Sequence, residues 1–379
     1  MGESRRNFMM KPGVLEVILG SFVFLTVPLL IIFFAPWPHG NPFDLFVNYY
    51  FVCFGATHFF VTFSIYCNSG NLRYFASDTK NIYLYFALPI AIMAFIFCFY
   101  FVYFVKQNDT SFFMLRDGWA ESILILTPFV VLIVGAVDIL HVQRQSYGVL
   151  QLLKGSTGLK FTDISKSLEK LFFPLMALAA WITFVKTLKA GDAQHWGSIK
   201  SSPFLDYVTA PWLTWMILGF AAGIFLIALT KLLAASQSEG SFRQKYSPPC
   251  YFFLQSVAVL LAVIDYRLYA VGAAMHYVEY HFLVYQRSFK AEGSAFEDAG
   301  SPRYRRIIVK TSFYLVLIAI TALFTFYPQT LARNWVLTPV FISVFMAVQV
   351  FHYYIDTLLW RFRKPFYRQT LGPVYFGGR

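Results

Sequence analysis

Charge is what this sequence is short of. Asp, Glu, Lys and Arg make up 13% of its 379 residues, about half of the ~25% usual in a soluble domain. A chain this poor in charge cannot clothe itself in a hydrated surface, which excludes an ordinary soluble fold. Cysteine is also scarce. The four present, Cys53, Cys67, Cys98 and Cys250, form no C-x-x-C pair, which excludes a disulfide framework, a zinc ribbon and a thiol redox motif. No A-x-A cleavage site follows the first apolar run, and that run is too long for a signal peptide. No internal repeat is evident, which counts against a transporter built from inverted halves.

What is there in quantity is apolar: 58% of residues are hydrophobic and 20% aromatic. The formal net charge of +12 would point a soluble protein at nucleic acid. Here the basic residues lie between apolar runs, so membrane topology explains them and no nucleic-acid partner is expected. Apolar segments long enough to cross ~30 Å of hydrocarbon fall at about 14–36, 43–67, 82–105, 119–141, 168–188, 208–235, 307–327 and 334–360. The stretch 249–287 is too long for one span at 1.5 Å per residue, and it divides near Asp265-Tyr266-Arg267, where Asp265 and Arg267 are expected to ion-pair. The expected fold is therefore all-α and polytopic: about ten transmembrane helices in one domain, N and C termini cytoplasmic. With that orientation, 24 of the 31 Lys and Arg residues fall on the cytoplasmic side, as the positive-inside rule requires. A basic surface linker is expected at about 142–167, broken at Gly155–Gly158, with loops at about 189–207 and 288–306. His39, in the turn 37–42, and His195, in a polar loop, read as loop residues. Gly219-x-x-x-Gly223 permits close helix packing. The run Trp360–Pro365 is an aromatic–basic anchor for anionic lipid headgroups.

The expensive residues in such a chain are ionisable groups inside the apolar runs, and these mark sites by default. Four spans carry them, all running from outside to inside. His58 lies in the second. Asp138 and His141 share one face of the fourth at i, i+3, His276 and Glu279 one face of the eighth at i, i+3, and His352 and Asp356 one face of the tenth at i, i+4. All seven fall towards the cytoplasmic half, where they are expected to converge. Four histidines and three carboxylates suit a carboxylate–histidine iron centre, mononuclear with positions open for oxygen or dinuclear. Asp138-x-x-His141 has the acid-x-x-His form of di-iron bundles, and His276-x-x-Glu279 reverses it. Zinc could use the same ligands. Haem ranks lower, since the carboxylates would then have no role. Tyr277, Tyr280, His281, Gln349 and Tyr353 flank the set as expected hydrogen-bonding support. The structural alternative is that each pair only holds helices together.

Isolated histidines and carboxylates on several spans resemble the design of integral-membrane non-haem iron oxygenases, such as the bacterial carotenoid-cleaving membrane dioxygenases. The HxxxH and HxxHH boxes of fatty-acid desaturases and hydroxylases are absent, and no residue role is carried over from any family. The expectation is an iron-dependent oxidoreductase or oxygenase in a bacterial cytoplasmic membrane. It would take an acyl, isoprenoid or quinone chain as substrate and draw on an electron donor or partner subunit. The alternatives are a proton-coupled carrier using the same groups as a relay and a structural subunit of a membrane complex.

Overall fold

The computed structural model describes residues 20, 26–36, 42–107, 117–157, 161–190, 203–236, 242–289, 302–330, 337–359, 364–367 and 369–370. These residues are helical almost throughout, with no strand among them. The helices are α1 (Val27–Phe34), α2 (Phe43–Tyr50), α3 (Thr57–Val61), α4 (Ser69–Phe75), α5 (Thr79–Ile82), α6 (Leu88–Gln107) and α7 (Asp117–Thr157). They continue as α8 (Asp163–Ala190), α9 (Pro203–Val208), α10 (Pro211–Ala235), α11 (Phe242–Ile264), α12 (Tyr269–Phe289), α13 (Arg303–Thr330) and α14 (Leu337–Leu359). A π-helical turn, Phe51–Ala56, joins α2 to α3, and a 3₁₀ turn, Thr62–Cys67, follows α3.

Among the described residues, seven stretches are long and apolar enough to cross a membrane: Thr79–Val105, Leu126–Gly155, Asp163–Ala190, Pro211–Ala235, Lys245–Ile264, Tyr304–Phe324 and Thr338–Leu359. Large apolar side chains such as Trp215 and Phe95 stand 72% and 67% exposed on them. That is the surface a lipid-facing helix presents, and the protein is a multi-pass membrane protein. The remaining three expected spans are helical where described. The segment 43–67 winds irregularly and contains a shorter apolar helical stretch, Cys53–Cys67, and α12 carries His276, Glu279, His281 and Arg287, which dilute its hydropathy.

The division of 249–287 falls where the charges are. α11 ends at Ile264, and the Asp265 carboxylate accepts the Arg267 N–H at 2.9 Å to start a 3₁₀ turn. The Arg267 guanidinium closes the expected ion pair at 2.6 Å. The surface linker is not what the structure shows: α7 runs unbroken through residues 142–157, and Val142, Val149, Leu150, Leu152 and Leu153 are buried. Its basic residues suggested a surface. Arg144 is indeed exposed, but Lys154 is neutralised by Glu169 inside the protein. The GxxxG of α10 is not used for close packing, since a Cβ at Gly219 or Gly223 would meet nothing within 4 Å. His39, His195, the Trp360–Arg363 part of the lipid anchor and most of both loops lie outside the described residues.

The chain divides into two compact units. The first holds residues 1–43, 131–279 and 375–379. In it α8 packs on α10 and α11, and Phe172, Phe173, Phe225 and Phe252 interlock with ring centroids 5.1–5.9 Å apart where they touch. The second holds residues 44–130 and 280–374. There α14 packs on α6 and α13, around a core of Phe59, Phe60, Val61, Tyr280, Val284, Leu317, Val348 and Tyr353. Both boundaries inside 117–289 fall within a helix, in α7 after Val130 and in α12 after Glu279.

Candidate metal centre

In the second unit, the winding of the segment 51–67 shapes the site. Wide π turns inside helices recur at functional positions. Here one brings the Gly55 carbonyl onto His58 Nδ1, three residues on. A carbonyl only accepts, so Nδ1 must carry the proton. Nε2 is then the nitrogen with the lone pair. That is the tautomer a histidine ligand adopts when a backbone carbonyl orients it.

His352, on α14, presents its ring to His58 with centroids 4.6 Å apart and planes at 83°. A ligand atom of His58 and one of His352 lie within 4.8 Å of each other, and so do one of His352 and one of Asp356. Two ligands bound to one first-row metal at ~2.1 Å stand at most ~4.2 Å apart. Each pair is therefore within a small side-chain shift of chelation. All three residues are buried. Tyr280 packs edge-on against both rings, at 5.3 Å from His58 and 4.8 Å from His352, and Phe59 lies 5.2 Å from His352. Two histidines and one carboxylate make up the donor set of non-haem iron(II) oxygenases, and equally one that zinc accepts.

In the first unit, His141 of α7 and His276 of α12 meet edge to face, with centroids 5.2 Å apart and planes at 86°. Glu279, one turn on from His276, is fully buried. Its Oε2 accepts from the Tyr251 hydroxyl at 3.0 Å and its Oε1 from Gln255 Nε2 at 3.3 Å. Asp138 Oδ2 accepts from Tyr269 at 3.1 Å. So within this unit the two histidines come together, while the two carboxylates are each engaged by a tyrosine.

The supporting residues divide in the same way. Tyr277 meets the His276 ring edge to face at 5.6 Å, and Tyr280 touches Thr62 at 2.8 Å. Gln349 donates to the Tyr353 hydroxyl, and Tyr353 lies 5.7 Å from the His352 ring. His281 faces elsewhere, with Nε2 3.0 Å from the Phe54 carbonyl and its ring near Tyr314. Four participants were not singled out from the sequence: Thr62, Tyr251, Gln255 and Tyr269. Only Thr62 left a local trace, four residues after His58 and so on the same helical face.

A multi-pass helical membrane protein with buried histidine–carboxylate sets is the class these features define. No family model, curated protein or solved structure matches the chain.

Proposed function

We propose that this protein is a membrane-embedded, metal-dependent oxidoreductase, with non-haem iron as its metal. The observation that carries the reading is a pair of buried contacts that share His352, one with His58 and one with Asp356, in which His58 is held as the tautomer that binds metal through Nε2. In the first unit, His141 and His276 meet ring to ring, and we read them, with Glu279 on the helical turn after His276, as that unit's own candidate ligands or hydrogen-bonding groups. Asp138, which accepts from Tyr269, is proposed for the same role from its place one turn before His141. Iron in such a set supplies oxygen activation. The chain's own residues orient the imidazoles and keep water out, with Phe59 and Tyr353 against the His352 ring and Phe345 packed on Phe59. A site reached through lipid and walled by aromatic rings suits an acyl, isoprenoid or quinone chain, reduced by an external donor.

The topology we propose has ten crossings with both termini cytoplasmic, in a bacterial cytoplasmic membrane, as the bias of Lys and Arg supports. Oxygen uptake tests the reaction class. Iron-loaded proteoliposomes should consume oxygen when given a member of one of these substrate classes, and a His352→Ala chain should not.

A proton-coupled carrier is the second reading. It is favoured by Glu279, a buried carboxyl whose described hydrogen-bond partners, Tyr251 and Gln255, are both neutral. Pumps and carriers use such groups as proton relays. Metal-free protein that takes up solute with a pH dependence lost in Glu279→Gln would favour it.

A further inference from the structure

The hydroxyl of Thr62 has one proton and three neighbours. It lies 3.3 Å from the His58 carbonyl, 2.8 Å from the Tyr280 hydroxyl and 2.6 Å from His352 Nδ1. A carbonyl oxygen has no proton to give, so that contact is a hydrogen bond only if Thr62 donates to it, in the i−4 back-bond common for helical threonine. The single proton is then spent. The remaining two contacts are hydrogen bonds only if Tyr280 O–H and His352 Nδ1–H both donate into the two lone pairs of Thr62. Each other assignment leaves at least one of the three contacts unbonded. Thr62, His352 and Tyr280 are all buried.

We propose that Thr62 is a positioning residue that fixes His352 as the Nδ1–H tautomer, leaving Nε2 as the nitrogen that binds metal. The inference rests on the metal reading above and adds to it the hydroxyl that selects the ligand atom. It makes His58 and His352 alike: in each, Nδ1–H is tied to an oxygen of the segment 51–67, Gly55 O for one and Thr62 Oγ1 for the other. That segment therefore supplies a ligand and sets the tautomers of both histidines. Threonine is needed for its proton count, and valine, of the same shape, offers neither the proton nor the lone pairs.

The test uses the full chain in detergent, with cobalt(II) as a spectroscopic probe of the metal site. Thr62→Ser keeps the hydroxyl and should bind cobalt as the unmodified chain does, with the same ligand-field spectrum. Thr62→Val should bind it about 10–100-fold more weakly, as loss of a hydrogen bond behind a ligand does. Thr62→Val binding as tightly as the unmodified chain would overturn the proposal. A second readout needs no metal. Nitrogen-15 NMR of labelled histidine in the apoprotein, with His352 assigned by its loss in His352→Gln, should show Nδ1 protonated and Nε2 bare. A protonated Nε2 would overturn the proposal even if Thr62→Val failed to fold. If the unmodified chain takes up no metal, the iron reading fails, and the apoprotein tautomer still decides the role of Thr62.

Discussion

The ammonium of Lys154 stands 2.7 Å from each carboxylate oxygen of Glu169, and both side chains are buried. Gln151 donates to one of those oxygens at 2.9 Å and Ser165 to the other at 2.6 Å. The Phe161 ring lies 4.6 Å beneath the ammonium. The clamp ties the end of α7 to the start of α8. It also explains why a segment with basic residues is folded into the protein.

A buried pair with this many partners is costly to break from one side. Glu169→Leu or Lys154→Met should each destabilise the chain by about 3–5 kcal/mol, because each leaves an uncompensated buried charge. The double variant should recover most of that loss. Thermal unfolding in detergent reads all three. Singles whose losses simply add in the double would contradict the clamp.

Glycine positions should divide sharply. A methyl at Gly135 would run into the Phe184 ring, which is backed by Tyr266 at 4.8 Å. Gly135→Ala should therefore cost about 1–3 kcal/mol, the usual range for overpacking. Gly219→Ala and Gly223→Ala face open space and should leave the melting temperature unchanged or slightly raised. Equal losses at all three positions would show that α10 packs more closely than described.

Acid should loosen the turn between α11 and α12. The hydrogen bond from the Arg267 side chain holds the Asp265 carboxyl below the usual carboxylate range, against the opposing effect of partial burial. A carboxyl lowered in the folded state contributes stability that is whole above its unfolded value of ~3.9 and is lost as pH falls through the lower folded value. Asp265→Asn keeps an oxygen that can cap the turn and removes the charge. Its melting temperature should lie below that of the unmodified chain by the same margin at about pH 6 and about pH 8. The gap should close below about pH 4. A gap that widens in acid would contradict the assignment.

Much of the fold was legible because bilayer physics writes itself into composition. Apolar runs of the right length, interrupted by Asp265–Arg267, located the long helices and the break between α11 and α12. Helical spacing likewise placed His352 with Asp356, and His276 with Glu279, on single faces. Other features were not legible. Lys154 and Glu169 are 15 residues apart on different helices, and nothing local marks them as partners. Thr62 reaches His352 across 290 residues. In an apolar helix, threonine, tyrosine and glutamine are ordinary residues, so Tyr251 and Gln255 gave no signal of their own and Thr62 only its place four residues after His58. The π and 3₁₀ turns of 51–67 break the 3.6-residue period on which pattern reading depends.

Metal content is the most direct test of the central claim, that this membrane protein exists to hold a metal on buried histidines. The full chain, produced with iron and purified in mild detergent, should carry about one or two irons per molecule. His352→Ala should lose that iron while keeping its helical content. A metal-free chain of normal stability, or iron retained in full by His352→Ala, would contradict the account.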